Sequence, residues 1–200
     1  TSPFTDGQSL GQEVNMANRD KGIYTYTVQE ATNVLLPRLV KITPTIVADD
    51  NADNDVAFNW AEVSNASLVK GRAIKLVSAS IYDPGVALGS IELYFARGSG
   101  SSGTAPTTAQ NLQDGAAGSD VVDMTAAEGT AIAICGSVLL TYDDAVGLIL
   151  SGVLTASNIN LIMAPASDST SLYVGGVYRS NPADNSGGNT SMDIYLGFEG

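Results

Sequence analysis

Apolar and polar side chains alternate residue by residue in short segments along much of this chain, and Gly, Pro, Asn or Asp residues separate the segments. Across residues 74–82, Val77, Ala79 and Ile81 take one parity and Ser78, Ser80 and Tyr82 the other. Across 91–95, Ile91, Leu93 and Phe95 oppose Glu92 and Tyr94; at the end of the chain, Met192, Ile194, Leu196 and Phe198 oppose Asp193, Tyr195 and Glu199. A period of two gives strands with one buried face. Further strands are expected at 23–28, 56–60, 131–141, 147–150, 158–163 and 172–178. The apolar run 34–42 contains Pro37, which confines it to an edge strand or an irregular segment. Asp83-Pro84-Gly85 is a turn, because Pro presets φ and Gly accepts positive φ. With no convincing helical run, about nine or ten short strands predict an all-β chain, an antiparallel β-sandwich that is jelly-roll-like.

The domain expected is 21–200, preceded by an extended N-terminal arm over 1–20. The arm has no sustained period, is rich in Asn, Gln, Ser and Gly, and offers Phe4, Leu10, Val14 and Met16 as sparse apolar contact points. Such a segment cannot bury itself and is expected to lie on a neighbouring molecule. Residues 98–120, a Gly/Ser-rich stretch, form an excursion within the domain, with one helical turn near 107–112.

Composition removes several chemistries. Histidine is absent and Cys135 is the only cysteine, which excludes a Ser-His-Asp triad, a Cys-His pair and an intrachain disulfide. Cys135 sits among apolar residues and is expected to pack rather than react, in a reducing compartment. Nine Lys+Arg against 21 Asp+Glu give a net charge of -12, so nucleic acid is not an expected partner. Arg179 is the only cation beyond Gly100, where ten acidic residues make a solvated surface; the first half is nearly balanced and is the better docking half. No apolar run is long enough to span a membrane. Neither an apolar nor a basic leader opens the chain, and Thr1 permits removal of an initiator Met, as expected of a cytoplasmic product.

The motifs are few. Gly98-Ser-Gly-Ser-Ser-Gly103 has the glycine spacing of a dinucleotide loop, but Pro106 follows and no apolar helix does, so it is read as a flexible loop and no cofactor is expected. Asp49, Asn51, Asp53 and Asp55 alternate as the first ligands of a Ca²⁺ loop do, but Asn54 stands at the glycine position and Trp60 at the bidentate one. The alternative is an acidic surface turn. Glu62, Glu92, Glu128 and Asp143-Asp144 are the acids available for glycoside hydrolysis, and Thr1 for an N-terminal nucleophile; neither has the surroundings that chemistry needs. Eight tyrosines suit sheet surfaces and subunit contacts, or a sugar-binding face.

Two segments, residues 74–95 (Ile-Lys-Leu-Val-Ser-Ala-Ser-Ile-Tyr-Asp-Pro-Gly-Val-Ala-Leu-Gly-Ser-Ile-Glu-Leu-Tyr-Phe) and 159–179, resemble the central strands and penultimate hairpin of capsid decoration (cement) proteins of tailed bacteriophages. The likeness covers about residues 71–198, rests on hydrophobic pattern, and leaves the arm outside. It implies a non-enzymatic structural virion protein, often a homotrimer. Such a protein is made in the host cytoplasm and bound to the outer capsid surface, where it cements neighbouring major capsid subunits. A carbohydrate-binding module on a virion or cell surface is the alternative expectation.

Overall fold

The computed structural model describes residues 37–46, 54–83, 89–113, 122–141, 152–179 and 192–200. The chain divides between Leu36 and Pro37, and all described residues lie in Pro37–Gly200. The arm expected at 1–20 and the strands expected at 23–28 and 147–150 fall outside them.

Eight strands are described: β1 (Arg38–Ile42), β2 (Val56–Val63), β3 (Ile74–Asp83), β4 (Ile91–Ala96), β5 (Ile134–Leu140), β6 (Gly152–Met163), β7 (Leu172–Tyr178) and β8 (Asp193–Glu199). They form two four-stranded sheets, ordered β1-β8-β3-β6 and β2-β7-β4-β5, and every paired neighbour is antiparallel. First pairs with last, second with seventh, third with sixth and fourth with fifth. That nesting is one long hairpin of strands folded across two sheets, which is the jelly roll. Pro37 stands one residue ahead of β1, which is an edge strand among the described residues.

Between the sheets the side chains sort as the alternation dictates. Ile91, Leu93 and Phe95 of β4 are buried, as are Ile194, Leu196 and Phe198 of β8, with Phe58 and Leu154 completing the layer. In β3 the expected face is corrected. Leu76, Ala79 and Ile81 are buried while Val77 is not, because a bulge between Leu76 and Ser78 puts Val77 as an extra residue against β8 and shifts the parity.

Strand β7 is buried along its whole length, although one of its faces points away from the core. The cover is the segment between β4 and β5. Leu112 packs with Val56 and Val177, and Ile132 packs with Ala96 and Tyr173, while Trp60 and Met124 touch both groups. The Gly/Ser-rich excursion is therefore a lid on the second sheet. Its opening Gly98–Gly103 stretch is a closed turn: Ser99 and Thr104 exchange backbone hydrogen bonds (2.8 and 2.9 Å), and Tyr173 Oη donates to Gly103 O at 2.9 Å. The expected helical turn is a 3-10 turn at Thr108–Gln110.

The strand expected over 131–141 begins only at Ile134, and a six-residue helix, α1 (Ala126–Ala131), precedes it. Its start is a capping box: Glu128 N donates to Thr125 Oγ1 (3.3 Å), and Thr125 N donates back to Glu128 Oε2 (2.6 Å). Hydrogen bonds from the Thr125 side chain and then its backbone hold the Glu128 carboxyl below the ordinary range.

Candidate functional site

Three places have the geometry of a site. The first is where the acidic turn enters β2. Tyr178 N donates to Asp55 O (2.8 Å) and Asn54 N donates to Tyr178 O (2.9 Å), so the end of β7 grips the start of β2. Asn54 takes a φ of 75°, and its carbonyl accepts from Val122 N at 3.2 Å. Asp55 is 6% exposed and lies in the sandwich wall. Asp49, Asn51 and Asp53, the other three residues of the Ca²⁺ pattern, lie outside the described residues. Among the described residues no three His, Cys, Asp or Glu side chains gather.

Beside Asn54 is the one cation of the second half of the chain. Arg179 Nε donates to Glu92 Oε2 at 2.8 Å, and its terminal nitrogens donate to Tyr94 Oη and Asn54 Oδ1. Tyr94 Oη donates to the same Glu92 oxygen at 2.8 Å. Glu92 and Tyr94 are two residues apart on β4 and so share a face, which the alternation predicts. Burial pushes the Glu92 carboxyl up, but hydrogen bonds from Ser137, Tyr94 and Arg179 together outweigh it, and the net direction is down. A lowered folded-state value stabilises the fold above the unfolded carboxylate's range and is lost as pH falls through the folded value. Glu92→Gln is therefore expected to lower the urea midpoint at pH 7. The gap to the parent should narrow as pH falls from the unfolded carboxylate's range through the lower folded value, where the parent's carboxylate protonates. A gap unchanged from pH 7 to pH 3 is the contrary result.

Next to this cluster, between lid, α1 and β5, is an open apolar hollow of about 640 Å³ lined by Tyr94, Leu112, Val122, Met124 and Ile134. Cys135 stands on β5 with its Sγ donating to Phe95 O at 3.4 Å, and burial pushes its thiol up to about 11. It packs, as its apolar neighbours in sequence predict.

Of the acids available for glycoside hydrolysis, those among the described residues serve separate hydrogen-bonding roles. Glu62 on β2 accepts from Ser171 Oγ at 2.7 Å, Glu92 holds Arg179, and Glu128 caps α1. Asp143-Asp144 and Thr1 lie outside the described residues, as do Phe4, Leu10, Val14 and Met16, the arm's contact points.

The third place was not foreseen from sequence. The connection from β2 to β3 is braced from both sides. Ser67 N donates to Thr170 O (2.9 Å), Gly71 N to Ser169 O (3.0 Å), and Arg72 N to Val69 O (3.2 Å). Ser67 Oγ donates to Val69 O at 2.7 Å, and Arg38 on β1 donates to the carbonyls of Asn65 and Ala66. Gly71 has a φ of 66°, and a Cβ there would lie 2.9 Å from Ser167 Cα, so glycine is required. This fixed loop holds Leu68 and Val69 outward, 54% and 51% exposed, beside exposed Lys70 and Arg72. Asp168 is the exposed acid of the bracing segment.

No family model and no curated protein matches the chain. Among solved structures, it aligns over 100% of its length with 81% of a chain from the full particle of Israeli acute paralysis virus, at 13% identity and a TM-score of 0.35. A Tomato Aspermy Virus chain aligns at 10% identity and a TM-score of 0.33, covering 94% of each chain. A chain from the native Kashmir bee virus virion gives 12% identity and 0.32, over 100% of this chain and 79% of that one. Likenesses this slight carry neither fold nor function to this chain; the jelly roll stands on its own strand pairing.

Proposed function

We propose that this chain is a structural virion protein that works by adhesion, docking its jelly roll onto the outer capsid surface and cementing neighbouring subunits. The observation that carries the reading is the braced 66–72 loop. Apolar side chains held outward by a rigid, hydrogen-bonded loop bind with little ordering cost, and Lys70 and Arg72 give an otherwise acidic molecule a favourable approach to an acidic partner. The loop lies in the charge-balanced half of the chain, and the resemblance of residues 71–198 to phage decoration proteins points the same way. A protein that binds only the assembled lattice stabilises it by mass action. The arm at 1–20, through Phe4, Leu10, Val14 and Met16, would add a second contact.

The test is co-sedimentation with capsids that lack the protein. The double variant Leu68→Asp, Val69→Asp is expected to lose particle binding by about tenfold or more, with a much smaller change in thermal midpoint, since both residues are more than half exposed. Binding equal to the parent's would remove the loop from the reading. Failure of the parent to sediment with any capsid would remove the reading itself.

A second reading, a carbohydrate-binding module, is favoured by Tyr82 and Tyr195. Ser80 pairs with Tyr195 and Tyr82 with Asp193, so the two rings are diagonal neighbours on the open face of the first sheet, with Lys41 Nζ 5.7 Å from the Tyr195 ring centre. A glycan array separates the two readings.

A further inference from the structure

The registers lay out the open face of the first sheet. Across β8, β3 and β6, Gly197 stands beside Ser78 and Ser157, Tyr195 beside Ser80 and Thr155, and Asp193 beside Tyr82 and Val153. Ile194, Leu196, Ala79, Ile81 and Leu154, which alternate with them, are buried in the core, so these rows point away from it. The middle of the face is low, because Ser78, Ser80, Thr155 and Ser157 are short and Gly197 has no side chain; Ser78 Oγ lies where a Cβ on Gly197 would stand. Taller side chains wall this basin: Tyr195 and Tyr82 on one side, the paired Glu199 and Lys75 on the other. By strand spacing and rise, the basin is about 10 Å wide from β8 to β6, and its walls at Tyr195 and Glu199 are about 14 Å apart. Charge is absent from its floor and cancelled at its margins, where Lys41 Nζ lies 2.8 Å from Asp193 Oδ2 and Lys75 Nζ 2.6 Å from Glu199 Oε2. Among the described residues the hydroxyls of Ser78, Ser80, Thr155 and Ser157 have no hydrogen-bond partner, although each is able to donate and to accept.

We propose that this basin binds a neutral oligosaccharide laid across β8, β3 and β6. Tyr82 and Tyr195 set their rings against the apolar C–H faces of the sugar, and the serine and threonine hydroxyls exchange hydrogen bonds with its own. The chemistry of the floor selects this occupant over others. A sialylated or sulfated glycan meets the field of a molecule of net charge -12 and lysines already held by carboxylates. A hydrocarbon would cover the hydroxyls and leave them unsatisfied, at a cost in desolvation. An extended peptide finds no free backbone on the middle strands, since β8 and β3 are each paired on both sides. The proposal rests on the saccharide reading of Tyr82 and Tyr195 given above, and adds the class of sugar and the groups that bond it. The basin shares no residue with the 66–72 loop, so sugar binding and capsid docking are separable.

The test is an array of neutral, sialylated and sulfated glycans probed with the full chain, followed by calorimetric titration with the neutral oligosaccharide that binds best. The parent is expected to bind neutral glycans alone. Tyr82→Ala is expected to weaken that binding by about tenfold or more, whereas Tyr82→Phe, which keeps the ring, should bind as the parent does. Ser80→Ala with Thr155→Val removes two hydroxyls at little change of shape; it is expected to lose a similar factor while keeping the parent's circular dichroism, because Thr155 is exposed and Ser80 half-buried on the same face. Leu68→Asp, Val69→Asp, away from the basin, should bind sugar unchanged. An array blank for the parent removes the saccharide reading and the proposal with it. Neutral binding that survives both Tyr82→Ala and the hydroxyl variant keeps the reading and overturns the basin as its site. A preference for sialylated or sulfated glycans keeps the reading and overturns the class of sugar.

Discussion

Gly176→Val is expected to destabilise the fold by about 3 kcal/mol or more, near the upper end for overpacking a core. A Cβ at Gly176 would sit on the edge of the Phe58 ring, 2.7 Å from its Cζ. Phe58 is fully buried in the layer between the sheets and has nowhere to swing. The strand offers no relief, since β7 is flanked by β2 and β4 and is buried along its whole length. The measurement is the urea midpoint against the parent. Gly176→Val, Phe58→Leu should recover part of the loss, because the shorter side chain vacates the volume the valine needs. A single variant as stable as the parent would show that the Phe58 ring does not lie against the β7 backbone at this point.

Leu112→Ala is expected to cost about 2–3 kcal/mol and to shift the fluorescence of Trp60 to the red. Leu112 is the apolar plug of the lid, 3% exposed, and its Cδ1 would be 2.5 Å from a Cβ placed at Gly175. Trp60 packs in the same group, and its Nε1 donates to Gln110 O at 2.8 Å, so the indole is tied to the lid by both apolar contact and hydrogen bond. Because it is the only tryptophan, its emission reports the lid alone. Loss of the plug should expose the indole before the sandwich unfolds, giving a fluorescence midpoint below the circular dichroism midpoint. Coincident midpoints with unshifted emission would mean that the lid does not depend on Leu112.

What the sequence disclosed was the part governed by a local period. Strands β4 and β8 were legible because their alternation runs unbroken, β7 as a short apolar run, and Pro37, just ahead of β1, pointed to an edge. The bulge in β3 was not, because an extra residue at Val77 is a relation to β8 rather than a property of β3. The lid's packing was not legible, since Leu112, within the 98–120 excursion, and Val122, Met124 and Ile132 beyond it are too far apart to show a period, and their burial depends on the second sheet beneath them. Helix α1 did have a signal that went unused, Thr125 followed three residues later by Glu128. The 66–72 loop gave no signal, because the groups bracing it lie about a hundred residues further on, at 167–170.

The nested pairing has a consequence for synthesis. Thr43 Oγ1 reaches Asp193 Oδ1 across 150 positions, and β8, the strand between β1 and β3, is the last of the described strands in chain order. A chain emerging from the ribosome can close β4 on β5 early, but the first sheet stays split until β8 has emerged. Such high contact order slows folding. It leaves β1 and β3 waiting with a gap one strand wide, which only β8 fills.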